Sequence, residues 1–255
     1  LVNEAATHPD ITGFPPSLRD GLTAFWDFES PTVSNNIITY PDAGNFAYPL
    51  TAKAGMVTGT QGLLRNAASF SGAHALTCSP DVLAGKSRFS ICFWFKCNLN
   101  SIQAKAGNLN SFFFTFNDNS ANTVSEFNLR AYKGINGTGQ KLILSQFGVD
   151  QFVTLPVANP LDDAKWQHLA VTKSGTTFTI YRNGISLGST TMNTNALSTT
   201  NLGFFCIGNL HPGSVIDTPF RGLIDRFCIH SRTLNSQDVD LLIKQNADGD
   251  SQTDH

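Results

Sequence analysis

From Phe220 to Ile243 the pattern of apolar and polar positions changes from a period of two to a period near 3.6. Over 223–230 the alternation predicts a β-strand. On that alternation Leu223, Asp225, Phe227 and Ile229 face one way, and Ile224, Arg226, Cys228 and His230 the other. Asp225 is then the one charge among Leu223, Phe227 and Ile229. A carboxylate so placed must be paired, hydrogen-bonded or bound to a metal. Beyond the strand, Asn235 suits an N-cap. Leu234 and Val239 stand at the spacing of a hydrophobic staple, and Val239, Leu242 and Ile243 form one apolar stripe. This spacing predicts a helix over about 236–245.

The rest of the chain reads as strands. Residues 88–95 and 165–172 are long apolar-rich runs, and 176–181 alternate with period two. Asn183-Gly184 follows, flanked by apolar residues, and predicts a type I′ hairpin because both central residues need positive φ. Residues 141–147 and 202–207 read as further strands, and Phe112-Phe113-Phe114 with Phe116 as a buried one. Strands at this spacing favour a sandwich. The expected fold is all-β, a two-sheet antiparallel β-sandwich with one short C-terminal helix. Residues 1–20, with Pro9, Pro15 and Pro16 and no periodicity, read as an extended arm. Residues 21–246 form the sandwich domain, and 247–255 a polar tail.

The ordered motifs resemble the laminin-G-like branch of the concanavalin A-like lectin/glucanase superfamily, whose sandwich is a jelly roll. Residues 220–243 match its C-terminal Gly, Ile-Asp, strand, Leu-Asn step and helix. Gly21 to Glu29 is similar to the family's opening strand. Ala68-Ser69-Phe70-Ser71-Gly72 is similar to its Ser-Phe-Asp-Gly step, with Ser71 in place of Asp. Arg88 to Phe95 resembles the long core strand. Lys165 to Thr172 resembles a Trp-His-His strand with Gln167 for the first His, and Ile180 to Ile185 the hairpin after it. The resemblance spans roughly 21–245 and implies a fold that serves lectins, hydrolases, lyases and adhesion modules alike.

Composition narrows the function classes. Charged residues are 14% of the chain, against about 25% in typical domains. The surface is therefore covered largely by Ser, Thr, Asn and Gln. Net charge is −2, with no basic block, which argues against nucleic acid as a partner. No apolar run is long enough for membrane insertion. The five cysteines, Cys78, Cys92, Cys97, Cys206 and Cys228, are an odd number with no compact disulfide framework. Cys92 and Cys228 fall inside apolar strands and read as small packing residues. Free thiols suit folding in a reducing cytosol, with the finished protein acting outside a cell, on a cell surface or on a virion. One or two bridges, such as Cys206–Cys228, stay open at this point.

Chemistry is sparse. Glycosidases generally need two placed carboxyl groups. The three Glu are Glu4, Glu29 and Glu126, and no acidic residue stands two or four places after Glu126. The alternating Glu and Asp of the glucanase branch is therefore missing, and catalysis is not expected. His74, His168, His211 and His230 lack metal-ligand spacing. Trp26, Trp94 and Trp166 fall in matched strands and read as core residues. The resemblance implies a structural Ca2+ held by Asp225, Asp27, Glu29 and Gly72, and a cation that accepts six to eight oxygens tolerates carbonyls and waters beside few carboxylates.

The Asn-rich segment 98–140 suits loops, and amides match sugar hydroxyls because they both donate and accept. Asn128 and Asn136 are the expected polar contacts for a glycan or cell-surface polysaccharide, with an exposed Tyr132 or Phe127 stacking on a sugar face. Three readings compete: a non-catalytic carbohydrate-binding or adhesion module, a structural protein of a virion or filament that meets other copies or other structural proteins, and a glycan-active enzyme.

Overall fold

The computed structural model describes residues 14–44, 47–53, 57–72, 75–97, 110–118, 125–133, 140–146, 148–154, 161, 164–192, 196–197, 199, 202–210 and 220–248. Among the described residues seventeen strands form two antiparallel sheets. They are β1 (Leu22–Trp26), β2 (Thr32–Ser34), β3 (Ile37–Tyr40), β4 (Leu50–Lys53), β5 (Val57–Gln61), β6 (Asn66–Ser71), β7 (Leu76–Cys78), β8 (Arg88–Cys97) and β9 (Asn110–Asp118). Then come β10 (Ser125–Lys133), β11 (Gln140–Gln146), β12 (Val149–Thr154), β13 (Gln167–Ser174), β14 (Thr177–Arg182), β15 (Ile185–Thr191), β16 (Leu202–Ile207) and β17 (Arg221–His230). The eight-stranded sheet runs β15-β14-β13-β8-β17-β6-β5, with β1 also paired to β17, and the nine-stranded sheet runs β12-β11-β10-β9-β16-β7-β4-β3-β2. The expected two-sheet sandwich is therefore what forms.

Alternation explains the core. Phe89, Ile91, Phe93 and Phe95 of β8 meet Phe113, Phe114 and Phe116 of β9, Phe127 and Leu129 of β10, Phe205 of β16 and Phe227 of β17. Phe93 and Phe227 stack with centroids 5.1 Å apart, and Phe127 stacks on Phe178 at 5.3 Å. Offset and edge-on rings of this kind add about 0.5–1.5 kcal/mol per pair beyond their buried area.

A second apolar cluster covers the outer face of the eight-stranded sheet. There Phe25, Cys92, Ala170 and Cys228 are capped by Phe14 and Leu18 and by Leu234, Val239 and Leu242. Helix α1 (Pro16–Arg19) supplies Leu18, so the expected extended arm is helical over these four residues, starting at a Pro whose fixed φ suits the first helical position. Residues 1–13 of the arm lie outside the described residues. Helix α2 (Ser236–Asp248) runs three residues past the expected end and takes in the first two of the tail.

The middle of β17 corrects one expectation. Asp225 pairs with Trp94, yet Cys228 pairs with Cys92, so three steps on β17 face two on β8. Arg226 sits at φ 47° in this bulge. An extra residue reverses the parity of a strand. Ile224, Phe227 and Ile229 therefore all point into the main core, and Asp225 does not share their face.

Candidate functional site

The outer face of the nine-stranded sheet carries a polar row, next to the apolar Phe112 and Ile143. One row of register partners crosses every strand: Asp150, Ser145, Asn128, Thr115, Cys206, Thr77, Thr51, Thr39 and Thr32. Eight of these nine side chains can hydrogen-bond strongly, and only Cys206 cannot. The segment Asn209–Leu210 crosses the row at its middle, where Thr115 Oγ1 donates to the Asn209 carbonyl at 3.1 Å and Asn117 Nδ2 to that of Leu210 at 2.9 Å.

Arg130 organises one half of this face. Its Nε donates to Asn110 Oδ1 at 3.1 Å and its Nη1 to Asn128 Oδ1 at 2.9 Å, while Nη2 meets Asp150 Oδ2. The guanidinium lies 5.6 Å from the centre of the Phe112 ring. Three of five N–H donors are thus used and two remain. The Arg130 side chain is 12% exposed and that of Asp150 45% exposed. Period two places Asn128, Arg130 and Tyr132 on this face, and Tyr132 is half-buried and pairs with Lys141.

The expected ligand contacts divide accordingly. Asn128 is buried on the polar face, where it positions Arg130. Phe127 cannot stack on a sugar, because it is fully buried between Phe89, Phe114 and Phe178. Asn136 lies outside the described residues. Arg130 was missed by the sequence reading, although its place between Asn128 and Tyr132 in an alternating strand was a usable signal.

Two of the four expected calcium ligands, Asp225 and Glu29, meet the two ends of the turn between β5 and β6, and Asp27 bonds next to Glu29. Asp225 Oδ2 accepts the Leu63 N–H at 2.8 Å and Oδ1 that of Arg226 at 2.7 Å. Glu29 accepts the Asn66 backbone N–H at 3.2 Å and its side-chain amide at 3.1 Å. Asp27 Oδ1 accepts the Glu29 N–H at 3.1 Å. Burial pushes the Asp225 pKa up to about 7 against the pull of its N–H donors and Arg226, and the Glu29 charge adds to the rise. Among the described residues no three His, Cys, Asp or Glu side chains are grouped to hold a metal. The oxygens of Asp225 and Glu29 fit a hard cation only with carbonyls and waters completing the set.

Gly72 does not belong to this group. A Cβ there would stand 2.5 Å from Nε of Arg221, so the glycine accommodates a guanidinium. Carboxylates also hold other loops: Asp42 Oδ1 accepts from Phe25 N and Gly44 N at 2.9 Å, a role the sequence did not reveal.

His168 is buried on β13, with its ring edge-on to Trp94 at 5.4 Å, and burial lowers its pKa to about 3. Trp26 is fully buried as expected, while Trp94 and Trp166 are half-buried. All five cysteines are free thiols. Cys206 and Cys228 stand in different sheets, each facing away from the shared core, so they cannot meet the short Cα separation of a disulfide.

Comparison with known proteins agrees with this architecture. The family model described as concanavalin A-like lectin/glucanases superfamily matches residues 70–240. Domain 4 of AbnA, an extracellular arabinanase from Geobacillus stearothermophilus solved with arabinotriose, superposes with a TM-score of 0.61 at 21% identity, over 87% of this chain and 98% of that one. The binding domain of Paraclostridial Mosquitocidal Protein 1 gives 0.64 at 16% identity, over 89% of this chain and 52% of that one. Trypanosoma rangeli sialidase in complex with the inhibitor DANA gives 0.58 at 15% identity, over 86% and 32%. The chain thus spans about half of the toxin domain and a third of the sialidase. No curated protein matches the sequence. No helix among the described residues is long and apolar enough to cross a membrane.

Proposed function

This chain belongs to the concanavalin A-like lectin/glucanases superfamily, and we propose that it is a non-catalytic carbohydrate-binding module whose ligand lies across the outer face of the nine-stranded sheet. The observation that carries the reading is the polar row on this face, whose exposed or half-buried members Asp150, Thr77, Thr51, Thr39 and Thr32 flank a buried middle, with Arg130 held beside it. Sugar hydroxyls need donors and acceptors at close spacing, and an ordered Arg supplies donors with little further loss of freedom. Tyr132, on the same stripe, offers an aromatic surface with a polar tip. The arabinotriose carried by the similar domain 4 is in keeping with a saccharide ligand. The module acts outside the cell after folding in a reducing compartment, a reading supported by its five free thiols.

A screen of neutral and acidic glycans with a multivalent form of the whole chain tests this. Arg130→Gln and Tyr132→Ala should each weaken the best hit about tenfold, with the fold intact by circular dichroism. Unchanged affinity in both variants removes the site. A blank screen moves the weight to a role in assembly with other copies or other structural proteins.

The same reading includes a structural calcium at Asp225 and Glu29, supported by the burial of Asp225 next to a second carboxylate. Calcium added to chelator-treated protein should raise the melting temperature, and Asp225→Asn should abolish the rise. An equal melting temperature in chelator and in calcium rejects the ion.

A further inference from the structure

A separate feature lies at the end of the eight-stranded sheet where β8 finishes and β17 begins. An open cavity of ≈ 390 Å³ is lined there by Phe70, Ser71, Lys96, Arg221 and Leu223, with Ala164 at its side. This is the size of a small-ligand site. Leu223 stands opposite Lys96, and Arg221 opposite Ser71. Side chains two apart on a strand share a face, so Lys96, Leu223, Arg221 and Ser71 look out together on the face away from the core.

The two cations are half-buried, and neither makes an ion pair or hydrogen bond among the described residues. Among the described residues no carboxylate lines this concavity, and two like charges on its lining favour an anion.

The backbone is built to leave this space open. Gly72, at φ +88°, lets the Arg221 guanidinium lie against the chain, since a Cβ would stand 2.9 Å from Cζ. Gly222, at φ +146°, brings β17 against β8, since a Cβ would stand 2.3 Å from the Lys96 carbonyl oxygen. Leu223, half-buried, is the apolar side chain beside the cations on this face. A cavity lined by two cations and by an apolar side chain matches a pyranose that carries one acidic group. The charged group meets Arg221 and Lys96, and the C–H face meets Leu223. An Arg fork accepts a carboxylate or a sulfate through two parallel hydrogen bonds, and Lys adds a point charge.

We infer that this cavity is an anion subsite that takes the carboxylate or sulfate of an acidic saccharide. The inference deepens the carbohydrate-binding reading and rests on it for the sugar part of the ligand. Arg130 lies on the opposite sheet, so the two sites are separable.

The test is a titration of the full chain with sodium glucuronate, glucose 6-sulfate and glucose, at low and high salt, followed by NMR. Both acidic sugars should bind, more weakly as salt rises, and glucose should not perturb Lys96 or Arg221. The two acidic arms identify the preferred group. Lys96→Gln and Arg221→Gln should each cut acidic-sugar affinity at least about tenfold and leave neutral-glycan binding through Arg130 unchanged. Equal binding of glucose and glucuronate, or full affinity in both variants, overturns the subsite. Acetate and inorganic sulfate displacing the sugars at equal concentration overturns its assignment to a saccharide. If the acidic sugars bind through Lys96 and Arg221 while no neutral glycan binds anywhere, the subsite stands and the sheet-face reading falls. If neutral glycans bind through Arg130 and an acidic group adds nothing, only the subsite falls.

Discussion

Asp225 and His168 are two buried ionisable groups whose protonation opposes each other. Asp225 titrates near 7 in the folded protein against 3.8 in the free side chain, so between these values the folded state holds the extra proton. Stability from this group therefore falls as pH rises across that window, by about 4 kcal/mol in all. His168 titrates near 3 against 6.5, so the unfolded state holds the extra proton, and stability falls as pH drops, by about 5 kcal/mol in all. Between pH 3.8 and 6.5 the two slopes largely cancel. Urea unfolding in chelator should show His168→Gln growing more stable on acidification and Asp225→Asn growing less stable. Parallel profiles for the wild type and both variants would refute the assignment. The need of Asp225 for a partner was legible from one charge in an apolar strand. Its partners, the backbone N–H groups of Leu63 and Arg226, were not, because Leu63 lies 162 residues away.

At the level of elements, local signals were read well and partner-dependent ones were not. The start of α2 is written within five residues. Asn235 Oδ1 accepts the Asp238 N–H at 2.9 Å, and Asp238 Oδ2 accepts the Asn235 N–H at 3.2 Å. Arg232 Nη1 adds a contact to Asp238 at 2.8 Å. Burial works against the Asp238 charge, but Arg232 and the Asn235 N–H outweigh it and lower its pKa. Asn235→Ala should cost about 1 kcal/mol and lower the melting temperature by roughly 2–4 °C. A calorimetric scan with no shift would show that the cap is dispensable. The bulge at Arg226 had no such local signature, since it exists only in the register of β17 on β8. The side of Phe127 was legible in principle: Phe127, Leu129 and Ala131 alternate with Asn128, Arg130 and Tyr132, so Phe127 and Tyr132 could not both face out.

Across the whole molecule, the two sheets differ in what covers them. The eight-stranded sheet is apolar on both faces where α1 and α2 lie, whereas the outer face of the nine-stranded sheet carries a polar row beside Phe112 and Ile143. Ordered motifs were enough to predict the sandwich, because each strand needs only its own alternation. They could not show which outer face is covered, because the cover comes from both ends of the described chain. For the same reason the sequence pointed to single Asn residues and not to the transverse polar row, whose members come from nine strands.

The cover over the eight-stranded sheet also sets an order in time. His230 Nε2 meets the Leu18 carbonyl at 2.9 Å across 212 residues of chain. Contacts of such separation are slow to form, because loop closure comes before any gain from the contact. During synthesis Phe14 and Leu18 emerge before β17 and α2 and must wait for them. Once β17 has paired with β8, and until the lid closes, Cys92 and Cys228 are direct uncovered neighbours. Facing residues on antiparallel strands have Cα separations within the range that a disulfide spans. An oxidising compartment would catch this pair in the unfinished chain, whereas a reducing one lets the lid close over two thiols.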